Sequence, residues 1–199
     1  MYHPDRIAAA EAALLTRPSW RALFPRGVPV YSIDESRAFT AQLMATVDEQ
    51  GQPTRGWTED EERFVTASKV RCIFDVPYFL SRFVWIDEEG HGLRPLYPLW
   101  ESQRFVLDTL ARLELQRWQN DYPDGLLVNV LKARQLGVST LAESLVAHRI
   151  LTRPYIRALS GADVEDQAGY LFRMVGRIYD QLPWFLKRPR ISFVKNREM

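Results

Sequence analysis

Leu126-Leu-Val-Asn-Val-Leu131, then Lys132-Ala-Arg-Gln-Leu-Gly137-Val-Ser-Thr140, then Leu141-Ala-Glu-Ser-Leu-Val-Ala-His148, reads as a buried strand, a short polar turn with one glycine, and a helix. A strand that runs through a tight turn into a helix can wrap backbone N–H groups around a phosphate. The turn comes close to the phosphate-loop pattern G-x-x-x-x-G-K-[ST]. Gly137 fits the second glycine, and Ser139 fits the hydroxyl that ligands Mg²⁺. Two positions depart from it. Lys132 stands where the first glycine belongs, and Val138 stands where the lysine belongs.

The displaced lysine has a physical reading. Its task is to place a mobile cation on the β- and γ-phosphates. A loop curled round a phosphate brings its first and its sixth or seventh residues close together, so a long side chain from Lys132 would reach the oxygens that a lysine at 138 would reach. Arg134 adds a forked cation suited to phosphate oxygens. Gln135 would orient Arg134 or line the pocket, or else satisfy the loop backbone. Thr140 would meet an α-phosphate oxygen from the first helical turn, or cap that turn. Ala133, Leu136 and Val138 complete the nucleotide-binding run from Lys132 to Thr140, through their backbone. The alternative is an ordinary strand-turn-helix joint with Lys132 and Arg134 solvated.

The chain has 199 residues, 46% hydrophobic and 26% charged, which is a globular composition with enough apolar bulk for a core. A formal net charge of +1 gives no overall basic field for tight nucleic-acid binding. The single cysteine, Cys72, lies beside Ile73 and Phe74 and is expected to be a small core residue rather than a reactive thiol. His3, His91 and His148 lie far apart, and none has metal-ligand spacing with a partner. His148, on the helix after the loop, is expected at the surface or in packing. With no signal peptide and no apolar run of membrane-spanning length, a soluble intracellular protein is expected.

Along the chain, residues 4–16 form an alanine-rich helix candidate stopped by Pro18. Asp34 or Ser36 would cap a second helix running to about Val47. Gly51-Gln-Pro-Thr-Arg-Gly56 marks a turn cluster. The domain boundary is placed near it, giving a helical N-terminal extension over 1–52 and an α/β core over 53–199. Residues 59–83 read as two helical pieces broken at Pro77. Val84–Asp87 and Leu93–Tyr97 would flank a turn at Glu89-Gly-His-Gly92. Residues 99–118 form a long amphipathic helix whose stripe is approximated by Leu99, Phe105, Val106, Leu110, Leu113 and Trp118. Residues 126–131 are expected as the centre of a parallel sheet and 155–160 as its second strand. A helix over 163–181 would be opened by Asp163 and end before Pro183. The predicted class is α/β, a partial parallel P-loop NTPase core with N-terminal helices.

The wider sequence resembles viral large terminase subunits, the ATP-driven motors that package phage DNA. The resemblance is carried by Lys132-Ala-Arg-Gln-Leu-Gly-Val-Ser-Thr140, in which an Arg-Gln pair precedes the glycine and the lysine opens the loop. It extends upstream through Asp75-Val-Pro-Tyr-Phe-Leu-Ser-Arg-Phe-Val-Trp-Ile-Asp87 and Gly92-Leu-Arg-Pro-Leu-Tyr-Pro-Leu-Trp-Glu-Ser-Gln-Arg-Phe-Val-Leu107. Downstream it takes in Tyr155-Ile-Arg-Ala-Leu-Ser-Gly-Ala-Asp-Val-Glu-Asp-Gln-Ala168. It covers roughly residues 72 to 186. It implies ATP and Mg²⁺ as cofactors, with Ser139 holding Mg²⁺ through the nucleotide. It also implies that Gln103 reads the adenine edge, a task suited to an amide that both donates and accepts; the alternative is a solvated glutamine. In a full-length protein of this kind the implied partners are DNA, a small terminase subunit and a portal protein, without a membrane, in the host cytoplasm.

Nucleotide hydrolysis needs a Mg²⁺-holding acid and a water-activating acid at the end of another core strand. No apolar run followed by Asp-Glu occurs after residue 160. Asp87-Glu-Glu89 follows Val84-Trp-Ile86 but precedes the loop, and is expected to be a solvated turn. Glu143 and Glu165 are expected on helix surfaces. The expectation is therefore the N-terminal part of a terminase ATPase domain, without its Walker B strand and its nuclease. Two other readings stay open: a piece of a helicase-like P-loop ATPase, or a non-catalytic α/β interaction module.

Overall fold

A computed structural model describes residues 29, 31–48, 53–88, 92–119, 127–131, 137–153 and 156–187. The helix expected over 4–16 and the loop residues Lys132, Ala133, Arg134, Gln135 and Leu136 lie outside them. The described residues fall into two compact units, 29–98 with 139–187 and 99–138. At the coarse level the chain is α/β: helices accompany one two-stranded antiparallel sheet among the described residues.

The first unit begins with α1 (Ile33–Met44). Ser32 caps it, and Glu35 reaches back to the Ser32 N–H at 2.7 Å, a complete capping box. Asp34 and Ser36, the caps expected from the sequence, lie inside the helix. Ser32 takes that role because Glu35 sits three residues after it. α2 (Glu59–Phe74) has the same device, built by Thr58 and Glu61. Asp75 ends α2 and caps α3 (Val76–Phe83), accepting the Tyr78 N–H at 2.8 Å. Pro77 lies in the first turn of α3, where its missing N–H costs no hydrogen bond. The break expected at Pro77 is therefore present.

β1 (Trp85–Glu88) and β2 (Gly92–Pro95) pair antiparallel, with Trp85 opposite Pro95 and Asp87 opposite Leu93. Asp87 and Glu88 are thus strand residues, where a solvated turn was expected. Phe64, Phe79, Phe83, Leu43, Leu80, Leu141, Ile178 and Leu182 are fully buried. Phe64 meets Tyr31, Phe39 and Phe185 ring to ring. α5 (Val138–Thr152) follows the glycine of the candidate loop, as the sequence pattern predicts. Its His148 is a packing residue: Nε2 lies 2.7 Å from the Cys72 carbonyl oxygen, and the ring meets the edge of Phe79. Cys72 is buried, and desolvation holds its thiol well above its usual pKa. α6 (Glu165–Gln181) starts two residues later than expected. Val164, not Asp163, occupies its cap position, with no side-chain hydrogen bond. A 3₁₀ turn, Trp184–Leu186, follows Pro183.

The second unit carries α4 (Glu101–Gln119). Its buried row is Gln103, Leu107 and Ala111, at successive intervals of four, while Phe105 is 68% exposed. The expected stripe was rotated because it followed hydrophobic bulk and passed over a glutamine and an alanine.

Residues 127–131 and 156–160 form no ladder among the described residues. Leu127 and Leu159 are 91% and 92% exposed. An apolar run shows that a strand is possible; it cannot supply the partner that makes one.

Candidate functional site

The site builds outward from Gly137. Its φ of +66° lies in the left-handed region that glycine reaches without penalty. A Cβ there would stand 2.6 Å from Gln103 Nε2 and 3.2 Å from Trp100 Cε3. Both the backbone and the space therefore require glycine.

Gln103 explains the close approach. It sits at the third position of α4, and its side-chain oxygen accepts the Trp100 N–H at 3.0 Å. That is the glutamine half of a capping box, satisfying one of the donors a helix start leaves open. Its Nε2 donates to the Gly137 carbonyl at 3.0 Å. The amide thus ties the start of α4 to the last residue of the candidate loop, with 3% of its surface exposed. One N–H and one acceptor lone pair of the amide remain beyond these two bonds. The expectation of a solvated glutamine is excluded.

After Gly137 the chain enters α5 directly. Val138 and Thr140 are half-buried, and Ser139 is exposed. The Thr140 carbonyl accepts the Ser144 hydroxyl at 2.7 Å. Gly137 therefore precedes the helix directly, and Val138, Ser139 and Thr140 form its first turn. Lys132 and Arg134 lie outside the described residues.

Glu143 was expected on the surface and is buried. Desolvation raises its carboxyl pKa, against the lowering effect of the Ser160 hydroxyl, which donates to Oε2 at 2.9 Å. A signal for this was available: Glu143, Ala147 and Leu151 form an i, i+4, i+8 row, and all three are buried. Asp87 pairs with Arg177 of α6, which places it in a half-exposed ion pair rather than a turn.

Among the described residues no helix is long and apolar enough to cross a membrane. No protein-family profile, curated protein or solved structure matches this chain.

Proposed function

We propose that the chain is the N-terminal part of the ATPase domain of a phage large terminase subunit, with residues 132–140 as its nucleotide loop. The observation that carries this reading is Gly137: left-handed, without room for a Cβ, and held by a buried glutamine at the mouth of a 15-residue helix. A glycine cradle leading into a helix fits a phosphate, because backbone N–H groups can approach it closely and the helix dipole favours negative charge. Exposed Ser139 fits the Mg²⁺ hydroxyl. Bound Mg²⁺ would neutralise charge on the phosphates.

In this reading Lys132 and Arg134 supply the cations on the phosphates, and Thr140 contacts the first phosphate. Gln103 holds the exit glycine in place and offers its remaining donor and acceptor to adenine. The segments 126–131 and 155–160 join a parallel P-loop sheet; their exposed leucines are the residue type that such a sheet covers on both faces. In the full-length motor, ATP hydrolysis drives DNA through a portal protein into the procapsid, in concert with a small terminase subunit, in the host cytoplasm.

The test is binding of a fluorescent ATP analogue with Mg²⁺. Lys132→Ala should weaken binding about tenfold or more, the scale of a charge-assisted hydrogen bond, and Ser139→Ala should weaken the Mg²⁺-dependent part. Unchanged affinity in both variants contradicts a nucleotide loop at 132–140.

A further inference from the structure

Within the first unit a cleft of about 140 Å³ lies among β1, the first turn of α5 and the outer face of α6. Trp85 and Tyr170 supply aromatic surface to its lining, and Ile86, Met174 and Ile178 supply aliphatic surface. Thr140, Asp87, Arg173 and Arg177 supply its polar groups. Arg177 is committed to Asp87, whereas Arg173 is exposed, one turn earlier on α6. The cleft is as large as the cavities of about 150 Å³ that hold one benzene ring. Polar groups share the lining about equally with the aromatic and aliphatic surface, and convergent polar groups beside apolar surface are what orient a small molecule in a site. A larger cavity of about 230 Å³ near Cys72 differs in kind. Its lining is mainly apolar, and the Lys187 ammonium on its border donates to the Asp180 carbonyl and lies over the Tyr179 ring.

We propose that this cleft is a second nucleotide-recognition site, which takes the base of a nucleoside phosphate against Trp85 and Tyr170 and its phosphate on Arg173. Aromatic faces stack on any base, and a guanidinium fork matches phosphate oxygens. The Asp87 carboxylate, held by Arg177, adds an acceptor for a base amino group. The ligand is a free nucleotide or a nucleotide of a single strand; the recognising chemistry is shared.

The site goes beyond the loop reading, because only Thr140 belongs to both. Calorimetric titration of the full chain separates them, with adenosine monophosphate, adenosine, inorganic phosphate and a ten-nucleotide oligothymidylate as probes. Adenosine monophosphate should bind more tightly than adenosine or phosphate. Arg173→Ala and Tyr170→Ala should each weaken it about tenfold, and Tyr170→Phe should retain it. Both positions are exposed, so melting temperatures should stay close to wild type. Tighter binding of the oligonucleotide than of the monophosphate, with the same dependence on Arg173 and Tyr170, identifies strand nucleotides as the occupant; the reverse order identifies the free nucleotide. Lys132→Ala should leave monophosphate binding unchanged. If Lys132→Ala abolishes it as well, the cleft is no independent site and the proposal is overturned. It is also overturned if neither the monophosphate nor the oligonucleotide binds, or if binding ignores Arg173 and Tyr170.

Discussion

Glu61 and Glu143 are both buried carboxylates on helices, and their surroundings drive them in opposite directions. Glu61 accepts from Arg55 at 2.6 and 2.9 Å, from the Thr58 N–H at 2.8 Å and from Gln42 at 3.1 Å. The Arg55 guanidinium, then the Thr58 N–H, hold its pKa down at about 2. Glu143 accepts from the Ser160 hydroxyl, and burial raises its pKa. Burial alone raises the pKa of an acid, as at Glu143, and a charged donor backed by several hydrogen bonds outweighs it, as at Glu61. The contrast extends to the regions that hold them. The α1–α3 scaffold around Glu61 is closed by caps and aromatic packing. The segments 127–131 and 156–160, one of which holds Ser160, keep their leucines in water.

The widest separation between these regions is expected in packing. Phe64→Ala, in the scaffold core, should cost about 3–5 kcal/mol, while Leu159→Ala should stay within about 0.5 kcal/mol, both read by denaturant unfolding. A core-sized loss at Leu159 would show that 156–160 is packed after all, and would remove the contrast.

Gly137→Ala comes next. A left-handed alanine costs about 1–2 kcal/mol, and the displaced Gln103 loses a hydrogen bond of about 1 kcal/mol. The same unfolding experiment should therefore show a loss of about 2–3 kcal/mol. Gln103→Ala should then cost less in that background than it does alone, because the bond to Gly137 is already broken while the bond from the Trp100 N–H is still lost. Full additivity would mean that the amide and the glycine are not coupled.

The two glutamates give a smaller effect with opposite signs. Glu61 has a folded pKa of about 2, below the unfolded value of about 4.3. Its contribution is present above the unfolded value and is lost as pH falls through that window. The advantage of wild type over Glu61→Gln at neutral pH should therefore fade on acidification toward pH 2. Glu143 has a raised pKa, so wild type loses stability as pH rises above the unfolded value. Glu143→Gln should therefore gain on wild type as pH rises above the unfolded value of about 4.3. Thermal melts across pH check both, and parallel curves for the two variants would refute the assignment.

What could be read in the sequence follows the range of the forces involved. Helix ends depend on residues three or four apart, so the break at Pro77 and the helix after Gly137 were readable, as were the two short segments that pair as β1 and β2. Even there, the cap of α1 is Ser32 rather than Asp34 or Ser36, because Glu35 three residues on completes its capping box. Sheet partners depend on distant segments, and the apolar runs at 126–131 and 155–160 could not specify them. In the candidate site, Gly137 was singled out by the loop pattern and Gln103 by the resemblance to terminases. Their direct hydrogen bond was not readable, since 34 positions separate them. The burial of Glu143 was legible only in its i, i+4, i+8 row with Ala147 and Leu151, against the expectation that its charge sets.

The central claim is that Lys132 does the work of a lysine at the Val138 position. The most direct measurement compares ATP-analogue binding by Lys132→Ala with that by the Lys132→Ala, Val138→Lys double variant. The single variant should lose about tenfold or more in affinity, and the double variant should recover part of it. Full affinity in the single variant, or no recovery in the double, would contradict the claim.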